Sequence, residues 1–293
     1  MGGGSYSYSD RTTRAKSSGY DTKSARELFS HSVNDAMSPR GALLRESRDS
    51  AEHPETLSMI LSLDVTGSMG SIPHHMIKDG LPTLMDSIIQ HGIEHPQLLF
   101  LAIGDHECDR NPLQVGQFES SDELLDKWLT SVYLEGGGGG NAGESYLLSW
   151  YYAAKHTSID CFDKRGKKGY LFTVGDEPTL RDIPGNILKE LMGEGQFNKN
   201  YTAAELLDMA REKYHVYHFH ILQGSAGNRQ ETKDGWKQLM GDSLIILDDY
   251  TTMPKRMAEI IVENERSSDG NVYVAPKIST TKVDDTEEQQ IIL

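Results

Sequence analysis

Apolar runs of strand length alternate along this chain with segments whose apolar residues recur at helical spacing. The run TLSMILSLDV at residues 56–65 is continuous, which predicts a central parallel strand covered on both faces. After it, apolar residues recur three or four positions apart from Ile77 to Ile88, which predicts an amphipathic helix ending near Gly92. Further strands are predicted at residues 97–105, 167–178, 214–224 and 243–249. The helices predicted beside them cover residues 120–136, 141–158, 200–213, 230–243 and 251–267.

This alternation predicts an α/β fold. We expect a doubly wound, mostly parallel central sheet with helices on both faces, in one domain spanning residues 55–267. Residues 1–54 are rich in Gly, Ser and Tyr and show no hydrophobic period, which predicts a disordered or loosely ordered tail with one short helix near residues 24–37. The alternative for this tail is a docking segment that folds on a partner. Residues 268–293 are polar and acidic and are predicted to form a second flexible tail.

The composition narrows the classes of function. The formal net charge is −15 over 293 residues, and so acidic a protein repels phosphate and is not expected to bind nucleic acid. No stretch reaches the roughly 18 apolar residues of a membrane span, and no apolar signal-peptide segment is found near the N-terminus. Two cysteines, Cys108 and Cys161, are too few for a disulfide scaffold. We therefore expect a cytoplasmic location and no membrane partner.

Three of the predicted strands end in aspartates, Asp64, Asp105 and Asp176. In a doubly wound sheet, ligands bind beyond the carboxyl ends of the strands, which lie at one edge. Carboxylates gathered at that edge repel one another unless a positive charge lies between them. The pattern therefore favours a divalent cation there.

The residues after Asp64 indicate which cation. Asp64, Thr66 and Ser68 lie at positions i, i+2 and i+4 of a strand-to-turn segment, which can direct one carboxylate and two hydroxyls towards a common point. These hard oxygen ligands favour Mg²⁺, with Mn²⁺ or Ca²⁺ as alternatives. Zn²⁺ prefers His and Cys and is not expected.

The segments LDVTGSM and TVGDEP, with a Gly-rich loop between them that leads into a helix, resemble the von Willebrand factor type A (vWA) domain. That family carries a metal-ion-dependent adhesion site (MIDAS), built from an Asp-x-Ser/Thr-x-Ser motif, a threonine from a second loop and an aspartate from a third. The resemblance implies that Asp64, Thr66 and Ser68 form the first element and Asp176 the third. It covers residues 55–265 and implies the Rossmann-like vWA fold.

The second element of the motif departs from the family pattern, because the loop GGGGGNAGES at residues 136–145 holds no threonine. Asn141 is the nearest candidate ligand, Glu144 follows closely, and both stay open. Some members of the family, including the domain attached to certain α-kinases, have a Gly-rich loop followed by acidic residues, and this chain resembles them more. Asp105 is a candidate for orienting ligands or waters around the ion without binding it.

The resemblance implies a protein–protein interaction module and not an enzyme, so no catalytic residue is predicted. In the family, the metal keeps one coordination position open for a carboxylate from a partner protein. Neutral hydroxyl ligands leave much of the ion's charge uncompensated, so an incoming Asp or Glu gains Coulomb energy. Cytosolic proteins of this type often work beside AAA+ ATPases or in stress-response complexes, which makes these the predicted partners.

Other interpretations of the same residues stay open. The segment DVTGS also resembles the Asp-Lys-Thr-Gly-Thr motif of P-type ATPases and related HAD-type phosphotransferases, in which Asp64 would be a covalent nucleophile, but Val65 stands at the lysine position. An ordinary strand–turn–helix corner with Ser68 as helix cap is the structural alternative. His218 and His220 share one face of a predicted strand and are interpreted as packing residues, because no third metal ligand is apparent.

Overall fold

The structure, a computed structural model, describes residues 4–134, 143–193 and 199–268. In these residues the strands are β1 (Arg45–Ser47), β2 (Leu57–Asp64), β3 (Pro96–Ile103), β4 (Leu113–Val115), β5 (Thr157–Ile159), β6 (Gly169–Gly175), β7 (Asp182–Ile183), β8 (Tyr201–Thr202), β9 (Tyr214–Ile221) and β10 (Leu244–Leu247). The helices are α1 (Tyr8–Ser18), α2 (Ala25–Leu28), α3 (Ile72–His75), α4 (Leu81–Gln90), α5 (Asp122–Thr130), α6 (Tyr146–Lys155), α7 (Asp160–Asp163), α8 (Gly185–Met192), α9 (Ala203–Lys213), α10 (Gln230–Met240) and α11 (Met253–Ser268).

Six strands form the central sheet in the order β10-β9-β6-β2-β3-β4. Neighbouring strands are parallel, except that β4 runs antiparallel to β3. Every residue of β2 and β3 is buried, as expected for strands covered on both faces. The predicted fold class, an α/β fold with a mostly parallel sheet between helices, is confirmed.

The core consists of two apolar layers, one on each face of the sheet. Met59, Leu61 and Leu63 of β2 belong to the layer that contains α4, α5 and α11, whereas Ile60 belongs to the layer that contains α6, α9 and α10. Side chains alternate between the faces of a strand, so one apolar run serves both layers. This packing holds β2 at the centre of the sheet and fixes where Asp64 emerges.

The helix predicted after β2 is interrupted by a π-helical turn, Met76–Gly80, between α3 and α4. In a π turn the carbonyl of residue 77 would accept from the N–H of residue 82, but Pro82 has none. The guanidinium of Arg11 donates to the Ile77 carbonyl instead. A side chain from the N-terminal segment therefore satisfies a backbone group that the helix leaves unpaired.

The prediction of a loosely ordered tail over residues 1–54 needs correction for the described residues 4–54. Helix α1 packs against α4 and α5, and β1 pairs in parallel with β5. Tyr20, Phe29 and Met37 are buried in the core layer that contains α4. These anchors lie eight or nine residues apart, so they leave no hydrophobic period for sequence reasoning to detect.

A buried ion pair adds to this attachment. Arg11 and Asp126 are almost completely buried, and Arg11 Nε lies 2.8 Å from Asp126 Oδ1. The short helix expected near residues 24–37 is present as α2 and a 3₁₀ turn, Asp35–Met37. Residues 269–293 lie outside the described residues, so the C-terminal tail remains a prediction. Across the described ranges, no helix combines the length and the apolar character that crossing a bilayer requires.

Candidate metal centre

The candidate site lies at the carboxyl ends of two neighbouring strands. Asp64 is the last residue of β2, and Asp176 directly follows β6, which pairs with β2. Both carboxylates are fully buried. Ser68 Oγ, in the turn after β2, donates to Asp176 Oδ1 at 2.7 Å. Sheet topology thus brings together two segments that are more than 100 residues apart in sequence.

The turn after β2 is organised around one oxygen of Asp64. Asp64 Oδ1 accepts from the Thr66 backbone N–H at 2.9 Å and from Thr66 Oγ1 at 2.6 Å. Thr66 Oγ1 in turn lies 3.1 Å from Ser68 Oγ. Residues 67–69 form a 3₁₀ turn, which directs Ser68 back over the sheet edge. The alternate spacing of the three residues therefore produces the convergence that the sequence predicts.

A third strand supports Asp176 from the other side. The backbone N–H of Ala226, in the turn after β9, donates to Asp176 Oδ2 at 2.9 Å. Gly224 in the same turn lies so close that an added Cβ would overlap the Asp176 carboxylate. The residue at 224 must therefore be small for the turn to reach Asp176. A backbone donor carries no side-chain signature, so the amino-acid sequence does not indicate this contact.

Four side-chain oxygens form an unbroken series of contacts, from Asp64 Oδ1 through Thr66 Oγ1 and Ser68 Oγ to Asp176 Oδ1. Carboxylate and hydroxyl oxygens are the hard ligands that Mg²⁺ prefers. In the described part of the chain, no three His, Cys, Asp or Glu side chains converge as a metal-binding group. Any ion at this edge would therefore depend on the two hydroxyls as well as on the carboxylates.

Tyr146, the first residue of α6, completes the surroundings of Asp64. Its hydroxyl donates to Asp64 Oδ2 at 2.8 Å, and its side chain is fully buried. Burial, followed by the negative charge of Asp64, raises the pKa of Tyr146 well above its ordinary value, so the phenol stays protonated and donates. The contact depends on how α6 crosses β2, so no pattern in the sequence indicates a role for Tyr146.

Glu144 lies beside the site in a constrained position. Its backbone N–H donates to the Pro178 carbonyl and its own carbonyl accepts from the Leu180 N–H, which ties it to the loop after Asp176. The Glu144 side chain is buried, and Oε2 has no hydrogen-bond partner among the described residues. Burial, followed by the charge of Asp64, raises the pKa of this carboxyl from 4.5 to about 9. Asn141, the other candidate from this loop, lies outside the described residues.

Asp105 follows β3, the neighbour of β2 on the other side, and is also buried. Its Oδ1 accepts from the Glu107 N–H at 2.8 Å, and its Oδ2 has no hydrogen-bond partner within the described ranges. Its charge is one of the causes that raise the pKa of Glu144. Asp105 therefore lies within electrostatic range of the site, and its expected role in orienting ligands or waters stays a prediction.

The electrostatics of the site are dominated by buried carboxylates. Burial is the largest cause that raises the pKa of Asp64 from 3.8 to about 7. The hydrogen bonds from Thr66 and Tyr146 oppose that shift, and the charge of Asp176 adds to it. Ionising Asp64 and Glu144 together is therefore unfavourable without a compensating positive charge.

His218 and His220 lie in a buried cluster behind the site. The ring of His218 stacks on Trp236 with centroids 3.5 Å apart, and its Nδ1 lies 2.9 Å from Thr173 Oγ1. His220 Nε2 contacts the Gly227 carbonyl oxygen at 2.8 Å. Burial lowers the pKa of both imidazoles, so they are neutral packing groups. This agrees with their interpretation from the sequence.

Among known proteins, the chain is similar to several whose structures have been solved. No protein-family model matches the sequence, and no curated protein does. The pilus adhesin SpaC from Lactobacillus rhamnosus GG aligns with a TM-score of 0.48 and 12% identity over 75% of this chain and 31% of that one. The chain therefore spans about a third of SpaC.

Two further solved structures align over nearly their whole length. The vWF domain of the type V pili tip protein Mfa5 from Porphyromonas gingivalis gives a TM-score of 0.47 and 8% identity over 74% of this chain and 97% of that one. The conserved hypothetical protein BatB from Bacteroides thetaiotaomicron aligns with a TM-score of 0.43 and 13% identity. That alignment covers 72% of this chain and 99% of BatB. Similarity at this level concerns the fold and does not extend to what this chain binds.

Proposed function

We propose that this chain is a vWA-like interaction module that captures a protein partner through a divalent metal ion. The observation that carries the proposal is the unbroken series of oxygens contributed by Asp64, Thr66, Ser68 and Asp176. Two of these groups are carboxylates from adjacent strand ends and two are hydroxyls from one turn. The proposed ion is Mg²⁺, with Mn²⁺ or Ca²⁺ as alternatives.

The residues present fit such an ion. Buried carboxylates are normally paired or bound to a metal, and Glu144 Oε2 has neither a hydrogen bond nor an ion-pair partner among the described residues. A divalent cation held by the oxygens of Asp64, Thr66, Ser68 and Asp176 would supply positive charge close to Glu144, whose pKa the charge of Asp64 raises. We therefore assign Glu144 to the position that a threonine holds in common members of the family, with Asn141 as the alternative.

The site also has an accessible side. Asp64 and Asp176 are fully buried, whereas Ser68 is half-buried and its neighbours Gly67 and Gly70 are exposed. A partner would therefore approach over the turn that carries Ser68. When bound, the ion would act as a Lewis acid that accepts a carboxylate oxygen from an Asp or Glu of the partner.

The first test is metal binding by the full chain. We expect calorimetric titration with Mg²⁺ and Mn²⁺ to give saturable heat, and an ion at 100 times its Kd to stabilise the fold by about 2.7 kcal/mol. Asp64→Ala should abolish both effects. Asp208→Ala, which removes an exposed aspartate from α9, is the matched control and should bind like the wild type. Absence of heat and of any metal-induced Tm shift in the wild-type chain would overturn the proposal.

The second half of the proposal concerns the partner. In a pull-down from native lysate, proteins retained with Mg²⁺ but not with EDTA should be lost with Asp64→Ala and kept with Asp208→Ala. Replacing the contacting Asp or Glu of such a protein by Ala should abolish its capture. The AAA+ ATPases and stress-response complexes named above are the proposed candidates, and a cytoplasmic location is proposed with them.

The geometry does not favour the phosphotransferase alternative. Among the described residues the hydrogen-bond partners of the Asp64 side chain are Thr66 and Tyr146, and neither carries the positive charge that would neutralise an incoming phosphoryl group. Val65 occupies the position at which that motif carries a lysine. We therefore propose a binding role for Asp64 and no catalytic one.

A further inference from the structure

The two oxygens of Asp64 have different surroundings. Oδ1 accepts two hydrogen bonds from Thr66 and faces the series of candidate ligands. Oδ2 points the other way and accepts from the Tyr146 hydroxyl at 2.8 Å, its one hydrogen bond among the described residues. Tyr146 therefore holds the second oxygen of the carboxylate and, together with the two hydrogen bonds from Thr66, opposes its rotation.

The ring of Tyr146 is itself held on several sides. Its edge contacts with His218 and Trp236 have centroid distances of 5.2 and 5.4 Å. On the sheet side the hydroxyl lies against the backbone of Gly175, where any Cβ would overlap it. Trp236 is anchored in turn, because its Nε1 donates to the Glu177 carbonyl at 3.0 Å. The phenol is thus fixed by elements from both strand ends of the site and by α10.

We propose that Tyr146 is a positioning residue of the metal centre, which sets the affinity for the ion by holding Asp64 in its ligating orientation. This inference rests on the proposed metal-binding function. Without the Tyr146 hydroxyl, the Asp64 carboxylate could rotate and would have to be ordered when the ion binds. Its buried Oδ2 would also lose the hydrogen bond that Tyr146 donates. Removing a partner of this kind typically weakens metal affinity by about 10–100-fold.

The experiment compares two tyrosines on the same helix. Tyr146→Phe removes the hydroxyl that contacts Asp64, and Tyr152→Phe removes another buried hydroxyl of α6, which donates to the Ala42 carbonyl away from the site. Both full-length variants are titrated with Mn²⁺ and Mg²⁺ by calorimetry, and the Tm of each is recorded in EDTA. We expect Tyr146→Phe to raise the Kd about tenfold or more and Tyr152→Phe to leave it unchanged.

A second variant keeps both the ring and the hydroxyl of residue 146 and serves as a conservative rescue. Site-specific 3-fluorotyrosine at position 146 keeps the donor and should restore wild-type affinity. It also tests the inference if Tyr146→Phe does not fold, because loss of metal affinity despite the retained hydroxyl would contradict the proposed role.

The outcomes separate this inference from the function it rests on. Wild-type affinity in Tyr146→Phe, or equal weakening by Tyr152→Phe, would overturn the positioning role while leaving the metal site intact. A wild-type chain that binds neither ion would overturn the proposed function and the inference with it.

Discussion

At the scale of single residues, the site depends on carboxyl groups that are buried where their negative charge is unfavourable. Asp64 and Glu144 both have raised pKa values, and burial is the main cause in each. Their native forms therefore hold protons over a pH range in which the unfolded chain has released them. A bound cation would reverse this preference, because it stabilises the ionised form.

This difference predicts how stability depends on pH. The native pKa of Asp64 is about 7 and its ordinary value is 3.8, so between these values the native state binds more protons than the unfolded state. In EDTA, the free energy of unfolding should fall as pH rises from about 4 to 7, and Glu144 should extend the fall towards pH 9. Urea unfolding of the wild type and of Asp64→Asn at pH 5 and pH 8 measures the effect.

The difference between these two proteins in the stability that they lose from pH 5 to pH 8 tests the raised pKa of Asp64. Asp64→Asn has no charge to bury, so it should lose less stability between pH 5 and pH 8 than the wild type. Asp208→Asn, on the exposed side of α9, should follow the wild-type curve. Saturating Mg²⁺ should reduce the loss in the wild type and in Asp208→Asn but not in Asp64→Asn. Parallel curves for all three proteins in EDTA would contradict the raised pKa of Asp64.

Sequence reasoning finds the side chains of the site but not their supports. Asp64, Thr66, Ser68 and Asp176 stand out because strand ends and alternate spacing are visible in the sequence, and the structure brings them together. The Tyr146 hydroxyl and the Ala226 N–H are missed because each reaches the site from an element distant in sequence. Their roles as metal ligands or supports stay predictions.

At the scale of elements, long apolar patterns are predictable and short or interrupted ones are not. The strand expected at residues 56–65 is β2, and the helix expected at residues 200–213 begins three residues later as α9. Strand β4 has only three residues, too few to show a period of two. The π turn before α4 also goes unpredicted, because its stabilising contact comes from Arg11, more than 60 residues earlier.

The Arg11 contact predicts a large effect on stability from a single substitution. Arg11→Ala leaves the Ile77 carbonyl without its donor and removes one partner of the buried Asp126. Breaking a buried ion pair from one side costs about 3–5 kcal/mol, and we expect the lower end because Arg14 and Tyr20 still contact Asp126. Urea unfolding measures the loss, with Arg26→Ala, at an exposed position of α2, as the control. Equal stability of the two variants would contradict the assigned role.

At the scale of the whole molecule, the N-terminal segment belongs to the folded body. The described residues 4–54 contribute a helix to one core layer and a strand to the two-stranded β1–β5 sheet. Composition alone does not reveal this, because the segment is polar overall and its few apolar anchors act separately. The position of the domain boundary therefore has to be taken from packing and not from the sequence pattern.

Two truncations test this view. A chain that begins at residue 55 loses the buried side chains of Tyr20, Phe29 and Met37, each worth about 1.5–3 kcal/mol, and should unfold at a clearly lower temperature or aggregate. A chain that ends at residue 268 lacks only the predicted C-terminal tail and should keep the wild-type Tm. Thermal unfolding and size-exclusion chromatography distinguish them, and an unchanged Tm for the first truncation would show that the segment is dispensable.

The π turn at residues 76–80 also changes the direction in which one long helix presents its side chains. Each residue of an α-helix advances the side-chain direction by about 100°, so the wider turn offsets α4 from the continuation of α3. The piece before the turn packs beside α2, and the piece after it packs along α11. The pieces on either side of the π turn therefore contact different neighbours, α2 from the N-terminal segment and α11 from the C-terminal end of the domain.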